Sequence, residues 1–228
     1  MQEHFTQEIE NLQKTLIYMA SMVDEQVNRA FKSLETGDME LCRGLKAKDV
    51  EVDLLENLIK TECENILALF QPVAVDLRYV ISALTINYQL ERCGDIAVNI
   101  IQRVRKIAQY QDLIKECEIL EMGRQAKDML KNAIDSFINN DSETAGKVIV
   151  NDEIVDKYNK KIFKFLVAKM QADPALIEPC AHLIVVSRNI ERLADHATNI
   201  AEDLIFYIDA KIVAHQKKLK DRNNQDGL

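Results

Sequence analysis

The stretch IERLADHATNIAED (residues 190–203) has a partial echo one hundred residues earlier, LERCGDIAVNIIQR (residues 90–103). Both copies spell Glu-Arg-x-x-Asp-x-x-x-Asn-Ile at the same spacing. Glu191 and Asp195, like Glu91 and Asp95, are four apart, so on a helix they share one face at about 40° and roughly 6 Å along the axis. Reading outward, the rest of the chain repeats as well. Gly37-Asp38 matches Asn140-Asp141, and Asp49 with Asp53 matches Asp152 with Asp156, all at an offset of 103 residues; Pro72 matches Pro174 at 102 and the Glu/Asp pairs match at 100. A slowly shrinking offset is what small deletions in loops and helix ends produce. The period is about half the chain, which indicates a duplicated domain rather than an array of short repeats.

Three prolines and six glycines in 228 residues are too few to punctuate a sheet of many hairpins. Instead, Ile9, Leu12, Leu16, Met19, Val23, Val27, Ala30 and Leu34 recur at spacings of three and four, the signature of an amphipathic helix. Thr36-Gly37-Asp38 is expected to stop it and to cap a second helix from about 38 to 70, which Gln71-Pro72 ends. A third is expected over about 75–109. The pattern restarts with helices over about 114–138, 141–170 and from Asp173-Pro174 to about 218. Long helices with short connections pack as antiparallel neighbours. The expected fold is therefore all-α: two tandem up-down-up three-helix bundles, residues 1–110 and 111–218, with a frayed tail at 219–228.

Hydrophobic residues make up 47% of the chain, enough for a sizeable core. The formal net charge is -8, with Lys and Arg interspersed among acids, so no nucleic-acid footprint stands out. Cys42, Cys63, Cys93, Cys117 and Cys180 contain no C-x-x-C pair and read as reduced thiols at apolar helical positions in a cytoplasmic protein. Neither a signal segment nor an uncharged apolar run of membrane-spanning length is present.

In the third helix the path Leu77, Ile81, Leu84, Tyr88 runs on into Glu91 and Asp95, so that an apolar stripe is expected to turn acidic in mid-helix, with Asn99 beside it. The second helix, through KDVEVDLLE (residues 48–56), places Asp49, Asp53 and Glu56 on one face with Leu45 and Val52. In the other half the pairs are Asp152 with Asp156 and Glu191 with Asp195, the latter followed by Asn199 and Glu202. If the middle and last helices of each half are antiparallel neighbours, the two pairs of that half can meet. Crowded carboxylates repel one another and resist desolvation, so they call for protons, basic partners or a multivalent cation. An oxygen-only donor set suits Mg, Mn or ferric iron better than a thiolate-type zinc site. No Glu-x-x-His signature of a di-iron bundle is present. His196, next to Asp195, points about 100° away from it and has Ile96 as its counterpart. The bland alternative is a solvated acidic face balanced by Arg92 and Arg192. An arginine one position after the glutamate is expected to pair with another helix rather than with its own neighbour.

QPVAVDLRYV (71–80), LERCGDIAVNI (90–100), the Asp49/Asp53 pair and IERLADHATNIAED together resemble the PhoU family, over essentially the whole chain. The resemblance implies paired three-helix bundles carrying carboxylate-bound metal clusters, with no catalytic turnover. It also implies a cytoplasmic, often dimeric protein, peripheral at the inner membrane when docked on its transporter. Its implied partners are the ATPase subunit of the phosphate ABC transporter and the sensor histidine kinase of the phosphate regulon, and its implied role is to hold the phosphate-starvation response off when phosphate is plentiful. The family's E/D-x-x-x-D motifs fall on Glu91/Asp95, Glu191/Asp195, Asp49/Asp53 and Asp152/Asp156, with Asn99, Asn199 and Glu202 supporting. Ile96 stands where the family often has His, Ala194 where Gly is common, and Gln102 faces Glu202 in the alignment of the halves. The two sites are therefore expected to be similar but not identical. Two other functions compete with a metal-binding adaptor: a metal-dependent phosphoester hydrolase, and a metal-free scaffold whose acidic patches dock a basic partner.

Overall fold

The computed structural model describes residues 2–213 and is helical throughout, without strands among those residues. Helix α1 spans Gln2–Thr36, α2 Leu45–Phe70, α3 Ala74–Ile107, α4 Gln111–Glu116, α5 Ile119–Asn139, α6 Ser142–Ala172 and α7 Ile177–Asp209. The stripe read along α1 is buried from Leu12 through Leu34, with Ile9 partly covered.

Several helix ends differ from the sequence reading. Asp38 does act as a cap, accepting from the Glu40 N–H at 2.8 Å. The element it caps is a single 3-10 turn, Met39–Cys42, and Gly44 at φ 74° separates that turn from α2. A left-handed residue at Gly44 breaks the ladder that the apolar spacing alone suggested was continuous. The fourth helix is split in the same way, by Glu118 at φ 60° between α4 and α5. The last helix stops at Asp209, nine residues earlier than expected, where Ala210 turns left-handed and its N–H closes on the Phe206 carbonyl; the tail at 219–228 lies outside the described residues. Asp141 caps α6, accepting from the Glu143 and Thr144 N–H groups, an interaction worth about 1 kcal/mol.

Helices α2, α3, α7 and α6 stand side by side in that order, and α1 and α5 lie behind them, touching each other. The first bundle is α1–α3, the second α5–α7, and their buried side chains form one continuous apolar cluster. At the centre, α3 and α7 run antiparallel: Arg78 Nε donates to the Tyr207 carbonyl, Ser82 Oγ to the Asp203 carbonyl, and Gln89 meets His196. As one residue number rises the other falls by the same amount. Since residues 100 apart are copies of one another, the two halves are related by a pseudo-twofold axis passing between Arg92-Cys93 and Arg192-Leu193.

Behind that seam, α1 and α5 approach closely because Gly123 has no side chain. The Phe31 ring lies against it, and an added Cβ would overlap the ring. The buried positions of α1 and α5 correspond at the offset of 103, Leu34 with Phe137, Val27 with Leu130 and Met19 with Met122. Gly123→Ala should therefore destabilise the protein by about 1–3 kcal/mol, an overpacking penalty, with Phe31→Leu in the same chain restoring much of the loss. Denaturant midpoints at unchanged slope would measure both changes.

Candidate metal-binding site

Helix α3 is covered by α1, α2 and α7, so only a narrow stripe of it reaches solvent. The path Leu77, Ile81, Leu84, Tyr88 lies on that stripe: Ile81 and Tyr88 are exposed, whereas Val80, Ala83, Ile86, Leu90 and Ala97 form the buried face. The apolar stripe read from the sequence is thus the outer edge of a helix buried on three sides. Continuing along it come Arg92, Asp95 and Asn99, with Glu91 on the flank that faces α2 and only 6% exposed.

In the first bundle the antiparallel register brings the two carboxylate pairs together. Asn87 Nδ2 donates to the Glu56 carbonyl at 3.0 Å, and a Cβ built on Gly94 would sit 3.6 Å from Asp49 Oδ1. Moving up α3 therefore means moving down α2, and Glu91 and Asp95 lie across from Asp53 and Asp49. Burial, then Asp95, then Asp53 push the Asp49 carboxyl up to about 6. Glu91 is also raised, by burial first, with Arg92 opposing and Asp95 and Glu56 adding to the shift. Glu56 is engaged by Lys60 at 2.7 Å.

Arg92 departs from the helical-wheel expectation. Its guanidinium folds back onto its own neighbour Glu91 and reaches Asp95 at 3.1 Å, while resting on the Tyr88 ring. Its long stem spans the 100° between adjacent positions, and α7 closes off the other side of the stripe, so the acids of its own helix are the nearest partners. In the second bundle Arg188, three positions earlier, performs the pairing with Glu191.

There the register is fixed by Ser187 Oγ, which donates to Asn159 Oδ1 at 2.6 Å. Counting back along α6 sets Glu191 level with Val155 and Asp156, and Asp195 level with Asn151 and Asp152. Asp152, Asp156 and Glu191 are half-buried and Asp195 is exposed. Asn199 faces the other way, donating to Gln89 Oε1 at 3.2 Å across the α3/α7 seam, while Asn99 is exposed and Glu202 half-buried on α7. His196 shares that glutamine oxygen through Nδ1 at 2.6 Å. Burial, helped by Arg192 and Arg92, lowers its imidazole to about 4, so it is neutral at physiological pH.

The oxygen-only donors of each seam suit a hard cation by type. Among the described residues, no three His, Cys, Asp or Glu side chains already surround one point. A cation in the first seam would draw Glu91 and Asp95 away from Arg92, the counter-charge they now hold. Three contributors escaped the sequence reading. Gln89 anchors His196, Asn87 joins α3 to α2, and Gln26 of α1 is fully buried beside Gly94 with neither amide atom hydrogen-bonded. Only Gln26 left a trace in the sequence, as a polar residue interrupting an apolar stripe between Val23 and Val27. All five thiols are free and buried, and burial pushes Cys63 up to about 12 and Cys117 to about 11.

Asp203, at the seam between α3 and α7, supplies a pH signature. Burial raises its carboxyl from 3.8 to about 6, against a hydrogen bond from Thr85. A folded-state value above the unfolded one contributes stability that is complete below about pH 4 and lost as pH rises through 6. Asp203→Asn should remove that loss, gaining on the order of 1–2 kcal/mol over the wild type at pH 7.5 and little at pH 4.5. Urea unfolding of both proteins at the two pH values checks the difference.

Known proteins share this architecture. Residues 16–104 and 119–204 each match the family model described as the PhoU domain. The chain is 33% identical over 226 residues to the phosphate-specific transport system accessory protein PhoU homolog of Caulobacter vibrioides, covering 97% of this chain and 98% of the relative. It is 33% identical over 214 residues to the protein of the same description from Pseudomonas aeruginosa, covering 93% and 88%. The crystal structure of PhoU from Pseudomonas aeruginosa matches at a TM-score of 0.85 and 31% identity, over 91% of this chain and 100% of that one. That of the phosphate transport system regulatory protein PhoU from Streptococcus pneumoniae matches at 0.82 and 25%, over 92% and 99%. With a duplicated three-helix unit matched in both copies and relatives aligned almost end to end, this chain belongs to the PhoU family.

Proposed function

We propose that the protein is a metal-binding regulatory adaptor of a phosphate-specific transport system. It would link the ATPase subunit of the phosphate ABC transporter to a sensor histidine kinase and repress the phosphate-starvation response while phosphate is plentiful. The observation that carries this reading is the end-to-end match to relatives described as accessory proteins of that system. The row α2, α3, α7, α6 supports the adaptor role, since it presents both acidic seams on one side of the molecule. Hard cations such as Mn, Mg or ferric iron are the ligands these seams would take.

Turnover is not part of the proposal. A hydrolase would need a base or nucleophile beside the carboxylates. Here the imidazole of His196 is engaged with Gln89 in the seam between α3 and α7, and the thiols sit in the apolar core. No helix among the described residues is long and apolar enough to cross a membrane. The adaptor role places the protein in the cytoplasm, peripheral to the inner membrane through the transporter. A homodimer would use exposed apolar surface such as the Val50, Leu54, Leu58 stripe on α2.

Deletion of the gene should raise expression of a phosphate-starvation reporter several-fold in phosphate-rich medium. Wild-type protein should restore repression, and a variant carrying Glu91→Ala and Glu191→Ala should restore it poorly despite folding normally by circular dichroism. Unchanged reporter expression after deletion would sink the regulatory reading.

A further inference from the structure

The two halves share a backbone plan but differ at the outer edges of the helix row. On α2, at one edge, Val50, Leu54 and Leu58 are 55%, 65% and 47% exposed. At a spacing of four they drift by only about 40° per step, so they form one stripe on the side of α2 turned away from the buried Val52 and Ile59. Asn57 and Thr61 border the stripe, and each donates to a carbonyl of its own helix, at 2.9 Å to Asp53 and 3.0 Å to Asn57. The same positions of α6, at the offset of 103, are Glu153, Lys157 and Lys161, and Lys161 is engaged with Glu118 at 2.5 Å. One edge of the row is therefore apolar and the other charged.

The charges beside the stripe indicate what covers it. Lys46 and Glu64 are exposed, and neither forms an ion pair among the described residues. They lie eighteen residues apart, five full turns, so they stand on the same flank of the stripe, about 80° round from Leu54. A second α2 laid antiparallel across the stripe and centred on Leu54 sets Val50 against the partner's Leu58. The same placement brings Lys46 within about 3 Å, two residues of helical rise, of the level of the partner's Glu64, with the reciprocal pair at the other end. A parallel pair would instead oppose lysine to lysine and glutamate to glutamate. Opposite charges on one flank, on either side of a central leucine, make the surface complementary to itself, as an isologous contact requires.

We propose that two copies of this chain associate through α2, antiparallel, with Leu54 at the twofold axis and Lys46 paired with the partner's Glu64 on either side of it. This rests on the homodimer reading and gives it an arrangement. The twofold axis of an antiparallel helix pair is perpendicular to the plane that holds both helices, here the plane of the row. Rotation about it keeps the acidic side of each copy facing the same way. The dimer is then one continuous row of eight helices with four acidic seams on a single side. A single helix pair over five turns is about 27 Å long and buries less than the roughly 800 Å² per partner of a standard stable interface. The dimer is accordingly weak and exchanges with monomer as concentration changes.

Sedimentation velocity of the full-length protein over a range of concentrations at low salt measures the equilibrium between monomer and dimer, and circular dichroism melting checks the fold of each variant. Leu54→Lys, Lys46→Glu and Glu64→Lys should each weaken the dimer about tenfold or more. All three positions are exposed, so melting of the monomer should change little. The double variant Lys46→Glu with Glu64→Lys should recover dimerisation to within about threefold of the wild type, because exchanging both charges restores each pair. Lys157→Glu, on the opposite edge of the row, should have no effect. A dimer that forms equally well with Leu54→Lys, or one whose exchanged charges bring no recovery, would overturn the α2 arrangement while leaving the homodimer reading intact. If the protein stayed monomeric at every concentration, the arrangement and the homodimer reading would fall together, and the regulatory reading would still stand on its reporter assay.

Discussion

The antiparallel contact between α3 and α7 is the constraint on which the molecule depends. It covers one full side of each helix, and it is pinned at intervals by polar contacts, Arg78 to Tyr207, Ser82 to Asp203 and Gln89 to His196. A duplicated unit must bury its repeated apolar faces somewhere, and pairing the last helix of one copy with the last helix of the other does so with a single pseudo-twofold contact. The resulting geometry has functional weight. Because the seam places α2 and α6 at opposite ends of one row, both acidic seams come to lie on the same side, flanking Arg92 and Arg192.

The electrostatics of that side stem first from burial and then from the crowding of carboxylates. Asp49 and Glu91 are raised mainly by burial and then by neighbouring carboxylates. Such a face stores repulsion that a counter-charge can relieve. Arg92 supplies the relief internally in the first bundle and Arg188 in the second, which leaves each seam with an ion pair that an incoming cation or a basic partner surface could exchange. A few side chains then make two nearly identical backbones unequal. In one bundle a buried glutamine stands against a glycine where the other has a buried methionine and a buried alanine.

Much of this was legible from residue spacing. The duplication, the six long helices, the stop at Gly37-Asp38 and the pairing of acids four residues apart are local patterns, and local hydrogen bonding and 3.6-residue periodicity enforce them. Helix interruptions at Gly44, Glu118 and Ala210 were not legible, because two of the three use non-glycine residues in the left-handed region that only the surrounding packing stabilises. The path from Leu77 to Tyr88 misled for a related reason. On a helix packed on three sides nearly every face is apolar, so periodicity cannot say which narrow stripe is left outside. Nor could a helical wheel show that Arg92 bends back to Glu91, since that choice depends on α7 closing the alternative direction.

By itself, the amino-acid sequence determined the all-α duplicated architecture and which carboxylates share a helical face, because both depend on contacts between residues a few positions apart. Only the tertiary structure decided which helices became neighbours, which of those carboxylates face each other, and that Gln26, far away along the chain, stands against Gly94 and Asp49. Those relations depend on how helices pack against one another, and packing is chosen by the complementarity of whole surfaces rather than by the order of residues along any one of them.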